Sequence, residues 1–200
     1  KKTSLNTDSD NLIVPSGKYD VYLNLAATEI YFMTPGFKPG EAVYDRSQDG
    51  NCIVVASQDM VDAAWDSQFW ITFDQELKEG DAWEISMDIK ADMAAQISTF
   101  TESEPGWYLY WDAIGVLSFT EEWINYTSSG TAHTEMTGGK SIDFLLNSFE
   151  ERANRYYFDN ISFKINGVEQ IDNGSCEDPA VRHNFLSKEY PSSQPTEAKF

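Results

Sequence analysis

The stretch Trp65-Asp66-Ser67-Gln68-Phe69-Trp70-Ile71-Thr72-Phe73 (WDSQFWITF, residues 65–73) decides the fold. It is short, aromatic and strand-like. Read with a period of two, Phe69, Ile71 and Phe73 fall on one side and Gln68, Trp70 and Thr72 on the other. The first set is an ordinary core face. The second puts a large flat ring beside an amide and a hydroxyl, so the two faces of this strand meet different surroundings.

The neighbouring segments repeat the pattern. In residues 82–91 (AWEISMDIKA), Trp83, Ile85, Met87 and Ile89 alternate with Glu84, Ser86, Asp88 and Lys90, as in a half-exposed strand. Residues 94–101, 107–112 (WYLYWD), 141–147 (SIDFLLN) and 155–165 (RYYFDNISFKI) read the same way, and CIVVAS (52–57) reads as a buried strand. The turns are marked by Asp49-Gly50, by KEGD (78–81), by ESEPG (102–106), by SSG (128–130) and by Asn166-Gly167. Short strands at this spacing, with no sustained helical period, predict an all-β fold, a jelly-roll β-sandwich. Residues 1–11 are expected as a flexible leader, 12–171 as the sandwich and 172–200 as a C-terminal extension or linker.

Composition narrows the partners. The 200 residues carry 33 acidic and 14 basic side chains, a net charge of −19. Such a chain repels nucleic acid and anionic membrane surfaces and favours neutral or cationic ligands. Hydrophobic residues at 41% suffice for one sizeable core. No apolar run reaches the roughly 18–20 residues of a membrane-inserted helix. Cys52 lies in an apolar run and reads as a small core residue. Cys176 lies in a turn-rich segment, and spacing alone does not pair the two. The histidines His133 and His183 show no zinc spacing, and no GxSxG, HExxH, P-loop or GxGxxG motif is present.

Several segments together carry a resemblance. In order they are the Asp49-Gly50 turn with its apolar strand, AWDSQFWI (64–71), KEGDAWEISMDIKAD (78–92), EPGWYLYWDAIG (104–115), FTEEW (119–123) and ANRYYFDNISF (153–163). This set resembles the β-sandwich carbohydrate-binding modules of the family 4, 9 and 22 type, galactose-binding-domain-like in fold. It looks closest to those associated with xylanases of gut Bacteroidetes. The likeness covers about residues 41–165, and AWDSQF and YYFDNI are its most specific parts. It implies a non-catalytic, extracytoplasmic module that binds a neutral β-linked plant polysaccharide such as xylan and is linked to a glycoside hydrolase. It also implies a structural calcium partly ligated by Asp159. Where the family opens with an NGDFE-like segment, this chain has LIVPSGKYDVYLNL (12–25).

Sugar rings present apolar CH faces with a rim of hydroxyls, so aromatic rings beside amides and carboxylates on one sheet face are the residues to seek. Gln68 and Trp70 satisfy this. Phe100 joins them from the next strand and Asp143 from the late strand. In WYLYWD the alternation separates Trp107, Leu109 and Trp111 from Tyr108, Tyr110 and Asp112. Tyr110 is the expected groove residue, Trp111 a core residue, and Trp107 a platform at the rim. Trp65 starts its strand on the inward parity and is assigned to the groove mouth. The alternative is a structural or interaction domain whose aromatic face packs on a partner, without a glycan site.

Overall fold

The computed structural model describes residues 5–6, 11–15, 20–24, 29–33, 50–59, 63–150, 152–178, 180–188 and 196–197. Four strands come first: β1 (Leu5–Asn6), β2 (Asn11–Pro15), β3 (Asp20–Asn24) and β4 (Glu29–Met33). They form an antiparallel meander in sequence order. Three residues of the expected leader thus lie in strands, and its remaining positions are outside the described residues.

The sandwich is built from β5 (Ile53–Ala56) onward. One sheet contains β7 (Ala82–Ala91), β11 (Ile124–Thr131), β13 (Arg155–Ile165) and β14 (Val168–Glu169) in the order β11-β7-β13-β14, with β5 also paired to β13. The other runs β10 (Leu117–Phe119), β8 (Ala95–Glu104), β12 (Ser141–Leu145), β6 (Gln68–Thr72), β15 (Phe185–Lys188) and β16 (Thr196–Glu197). β9 (Trp107–Trp111) pairs with the latter half of β8, and β10 with its first half. All pairings are antiparallel, and the regular structure outside strands among the described residues is one short 3₁₀ turn at Thr134–Met136. This is the expected all-β sandwich.

The core lies between the sheets because each strand turns its apolar parity inward. Phe69 of β6 meets Phe158 of β13 with ring centroids 4.6 Å apart, and Phe73 meets Phe163 at 4.8 Å. Ile85, Met87 and Ile89 of β7 and Ile97 of β8 are buried in the same cluster. Burial of one such side chain stabilises by about 1.5–3 kcal/mol relative to exposure.

Two features depart from the sequence reading. Ser128, Ser129 and Gly130 do not turn the chain; they lie inside the eight-residue strand β11. The segment after 171 is no separate extension, since β15 pairs along β6 and places Phe185 in the core. A bulge prepares this docking. Between Asp159 and Ser162, β13 carries one residue more than β7, and Asn160 adopts φ 49°. The ladder opens there, and the Ile161 N–H donates instead to the Gly174 carbonyl at 2.7 Å. A Cβ on Gly174 would stand 1.7 Å from the Ile161 oxygen, so only glycine admits this approach. Gly174→Ala is expected to cost about 1–3 kcal/mol or more. The check is urea unfolding, with a lower midpoint at an unchanged slope; an unaltered midpoint would contradict the docking.

Candidate functional site

The candidate site is the outer face of the sheet that carries β6. A structural turn leads into it. The Ala63 N–H donates to Asp66 Oδ2 at 3.0 Å, and the Asp66 N–H returns to the Ala63 carbonyl at 3.0 Å. Ser67 Oγ then accepts the Gln58 N–H at 2.9 Å. This turn holds Trp65 at its crest, 57% exposed, ahead of the first paired residue of β6.

Strand register fixes the rows of the face. Asp143 lies opposite Trp70 on one side and Phe100 on the other. Ser141 lies between Thr72 and Glu102, and Leu145 between Gln68 and Ser98. The sequence-predicted residues Gln68, Trp70, Phe100 and Asp143 therefore share one face. Their depth differs from the expectation of an open groove. Trp70 is 1% exposed, and Gln68, Asp143 and Glu102 are also buried.

These buried groups are bonded to one another, which is what allows polar atoms to leave water. The Gln68 amide donates to the Asp143 carboxylate. The Trp70 indole N–H donates to Glu102 Oε2 at 2.9 Å, and the Gly106 N–H donates to the same oxygen at 2.7 Å. Glu102 thus ties β6 to the β8–β9 hairpin turn. Its carboxyl is held above the ordinary 4.5, chiefly because burial penalises the charged form; the two N–H donors oppose that shift.

β9 departs from simple alternation. Its register against β8 slips twice: Tyr110 pairs with Thr101, Tyr108 with Glu102, and Trp107 with Glu104. The first slip passes over Leu109 and the second over Ser103. Trp107 and Tyr108, adjacent in sequence, therefore accompany Glu104 and Glu102 on the outer face. They are 67% and 56% exposed, and the Tyr108 ring meets Phe100 edge-on at 5.2 Å. Tyr110 is corrected from groove to core side. It pairs with the buried Thr101 and packs against the hydrophobic cluster, with the exposed His133 ring 5.8 Å from its own. Trp111, expected in the core, has its backbone in register with Phe100. Glu102 and Tyr108 are the residues that counting along the strand did not single out.

Asp159 lies apart from this face, at the β13 bulge. It is buried, and its Oδ1 accepts the Asn160 N–H at 2.7 Å. Among the described residues no group of three or more His, Cys, Asp or Glu side chains is placed to share a metal ion.

No protein-family model matches this sequence, and no curated protein does. Solved structures share its fold. The carbohydrate-binding module of PbXyn10C, in its apo form, superposes with a TM-score of 0.57 at 15% identity, covering 78% of this chain and 93% of its own. A family 4 carbohydrate-binding module gives 0.47 at 14% identity over 57% and 83%. The N-terminal cellulose-binding domain of a Cellulomonas fimi β-1,4-glucanase gives 0.43 at 14% over 64% and 88%. The first of these shares the β-sandwich architecture of this chain.

The Glu102 environment predicts a pH effect. The native state holds this proton more tightly than the unfolded chain does. Between 4.5 and the raised native value the folded protein binds more protons, so the Glu102 contribution to stability falls as pH rises. In Glu102→Gln the amide oxygen still accepts both N–H groups but does not titrate. Wild type should therefore lose stability relative to Glu102→Gln as pH rises from about 4 to 8. Denaturant unfolding across that range checks it, and a constant difference would contradict it.

Proposed function

We propose that this chain is a non-catalytic module that binds a neutral β-linked glycan, xylan by preference, on the outer face of the β6 sheet. The observation that carries the reading is the double slip of β9, which sets Trp107 and Tyr108 side by side in solvent beside Phe100 and above the Trp70–Glu102 pair. Two exposed rings form a surface for the CH faces of a sugar, and the neighbouring Glu104 supplies an acceptor for its hydroxyls. Trp65 serves as a further exposed ring at the β6 end. Gln68, Trp70 and Asp143 support this surface from below. The likeness in fold to a carbohydrate-binding module supports the reading.

The carboxylates argue for binding without catalysis. A glycosidase needs an acid and a base facing each other across a wet cleft. Here Glu102 is engaged by two N–H donors and Asp143 by Gln68. The excess of acidic residues favours uncharged glycans over uronic-acid polymers. Linkage to a glycoside hydrolase and an extracytoplasmic location belong to the same proposal. The burial of Gln68, Trp70 and Asp143 favours a second reading, in which this face is wholly structural.

Calorimetric titration with xylohexaose, mixed-linkage glucan oligosaccharides and mannan separates the two. Trp107→Ala and Tyr108→Ala should each weaken binding about tenfold or more, the loss of a hot-spot aromatic, and leave the thermal midpoint in place. Trp70→Ala should lower the midpoint, because it strands Glu102 and opens a cavity. Absence of heat with every soluble β-glycan would leave the structural reading.

A further inference from the structure

We propose, on the glycan-binding reading just given, that the cleft at the exit of β6 is a further sugar subsite. It takes the uncharged pyranose that follows, along the glycan chain, the one resting on Trp107 and Tyr108. The cleft has a volume of about 410 Å³. Ser103 and Pro105 at the β8–β9 turn line it together with Thr72, Asp74, Lys140 and His183. Ligand pockets run from about 300 to 1,000 Å³.

The cleft adjoins the two exposed rings. Glu104 lines it and is the register partner of Trp107. Pro105 stands two positions before Trp107 in the chain. Thr72, at the other side, lies in the same cross-strand row as Ser141 and Glu102. A glycan seated on Trp107 therefore runs off the sheet face into the cleft.

Stretches distant in sequence build the walls, and named hydrogen bonds hold each one. The Thr72 N–H donates to the Asn184 carbonyl at 2.7 Å, and the Asn184 side-chain amide donates to the Thr72 carbonyl at 2.7 Å. The Thr72 hydroxyl donates to the His183 carbonyl at 3.2 Å, so the His183 wall is tied to β6. The Lys140 N–H donates to the Glu102 carbonyl and its carbonyl accepts the Phe73 N–H, both at 2.9 Å. The β8–β9 turn is held by the Gly106 N–H on Glu102 Oε2. A cleft fixed in this way loses little freedom when a ligand enters.

Its chemistry suits hydroxyl groups. Asp74, Glu76 and Glu104 line it with carboxylates, each of which can accept from two neighbouring hydroxyls, and Lys140 adds an ammonium donor. All four side chains belong to exposed residues, so they meet a ligand from solvent. Three carboxylates against one ammonium repel a uronic acid and leave a neutral sugar as the matching ligand.

The test titrates the full chain with xylohexaose, a mixed-linkage glucan hexasaccharide and mannohexaose, by calorimetry and by amide shift mapping on isotope-labelled protein. The hexasaccharide that binds should shift the amides of Ser103, Lys140 and His183 along with those of Trp107 and Tyr108. Lys140→Ala and Asp74→Ala should each weaken that hexasaccharide about threefold or more, the loss of a hydrogen bond to a charged group, and leave the thermal midpoint in place. Loss of binding in Trp107→Ala with neither effect in the cleft variants, or shifts that run towards Trp65 instead, would overturn the subsite and leave the glycan reading standing. Absence of heat with all three hexasaccharides, or binding that Trp107→Ala does not weaken, would overturn that reading and the subsite with it.

Discussion

The contact between Phe69 and Phe158 holds the two sheets in one relation, and the candidate site inherits its geometry from that contact. Phe69 also lies 5.5 Å from Phe144 and 6.3 Å from Phe185, so its ring touches β12, β15 and the opposite sheet together. A strand has period two, and a slip of one residue would exchange its faces. With Phe69 fixed inward by three strands, Gln68 and Trp70 have one orientation open to them. The hydrogen bonds to Asp143 and Glu102 then follow from the cross-strand pairing of β6, β12 and β8.

Much of this was legible in the residues. β7 alternates so regularly that its limits and inward face can be counted off, and the Phe69 parity is equally plain; in β13 the bulge moves the inward set from Tyr156 and Phe158 to Ile161, Phe163 and Ile165. Depth was not legible. Alternation tells on which side of a sheet Trp70 stands, while its burial depends on partners such as Glu102, 32 positions away. β9 shows another limit. Counting by twos assumes unbroken pairing, and the slips at Leu109 and Ser103 send Tyr110 inward and bring Trp107 beside Tyr108. β11 was hidden by composition. Its serines and glycine look like a turn, but Gly130 is there because a Cβ would stand 2.6 Å from the Trp83 ring. β15 is four residues long and gains its strand character from the open edge of β6.

The candidate surface therefore has two layers with different physical demands. The lower layer, with Gln68, Trp70, Glu102 and Asp143, consists of polar atoms that must satisfy one another because water does not reach them. The upper layer, with Trp107 and Tyr108, keeps its rings in solvent. Rigidity beneath limits the ordering entropy that a ligand would otherwise have to offset on binding. Glu102 belongs to both layers, since its carboxylate anchors the hairpin turn from which Trp107 emerges.

The insertion of β15 beside β6 has a consequence for how the chain is made. The two strands pair between residues 68–71 and 185–188, a sequence separation of well over half the molecule. On a ribosome that adds 5–20 residues per second, β6 is synthesised on the order of ten seconds before the strand that covers it. During that interval its N–H and C=O groups form an open sheet edge next to Phe69 and Ile71, a template for pairing with another copy of the chain. Late closure makes the yield of folded protein a race between the arrival of the last strand and intermolecular association, and that race is set by topology rather than by the stability of the finished sandwich.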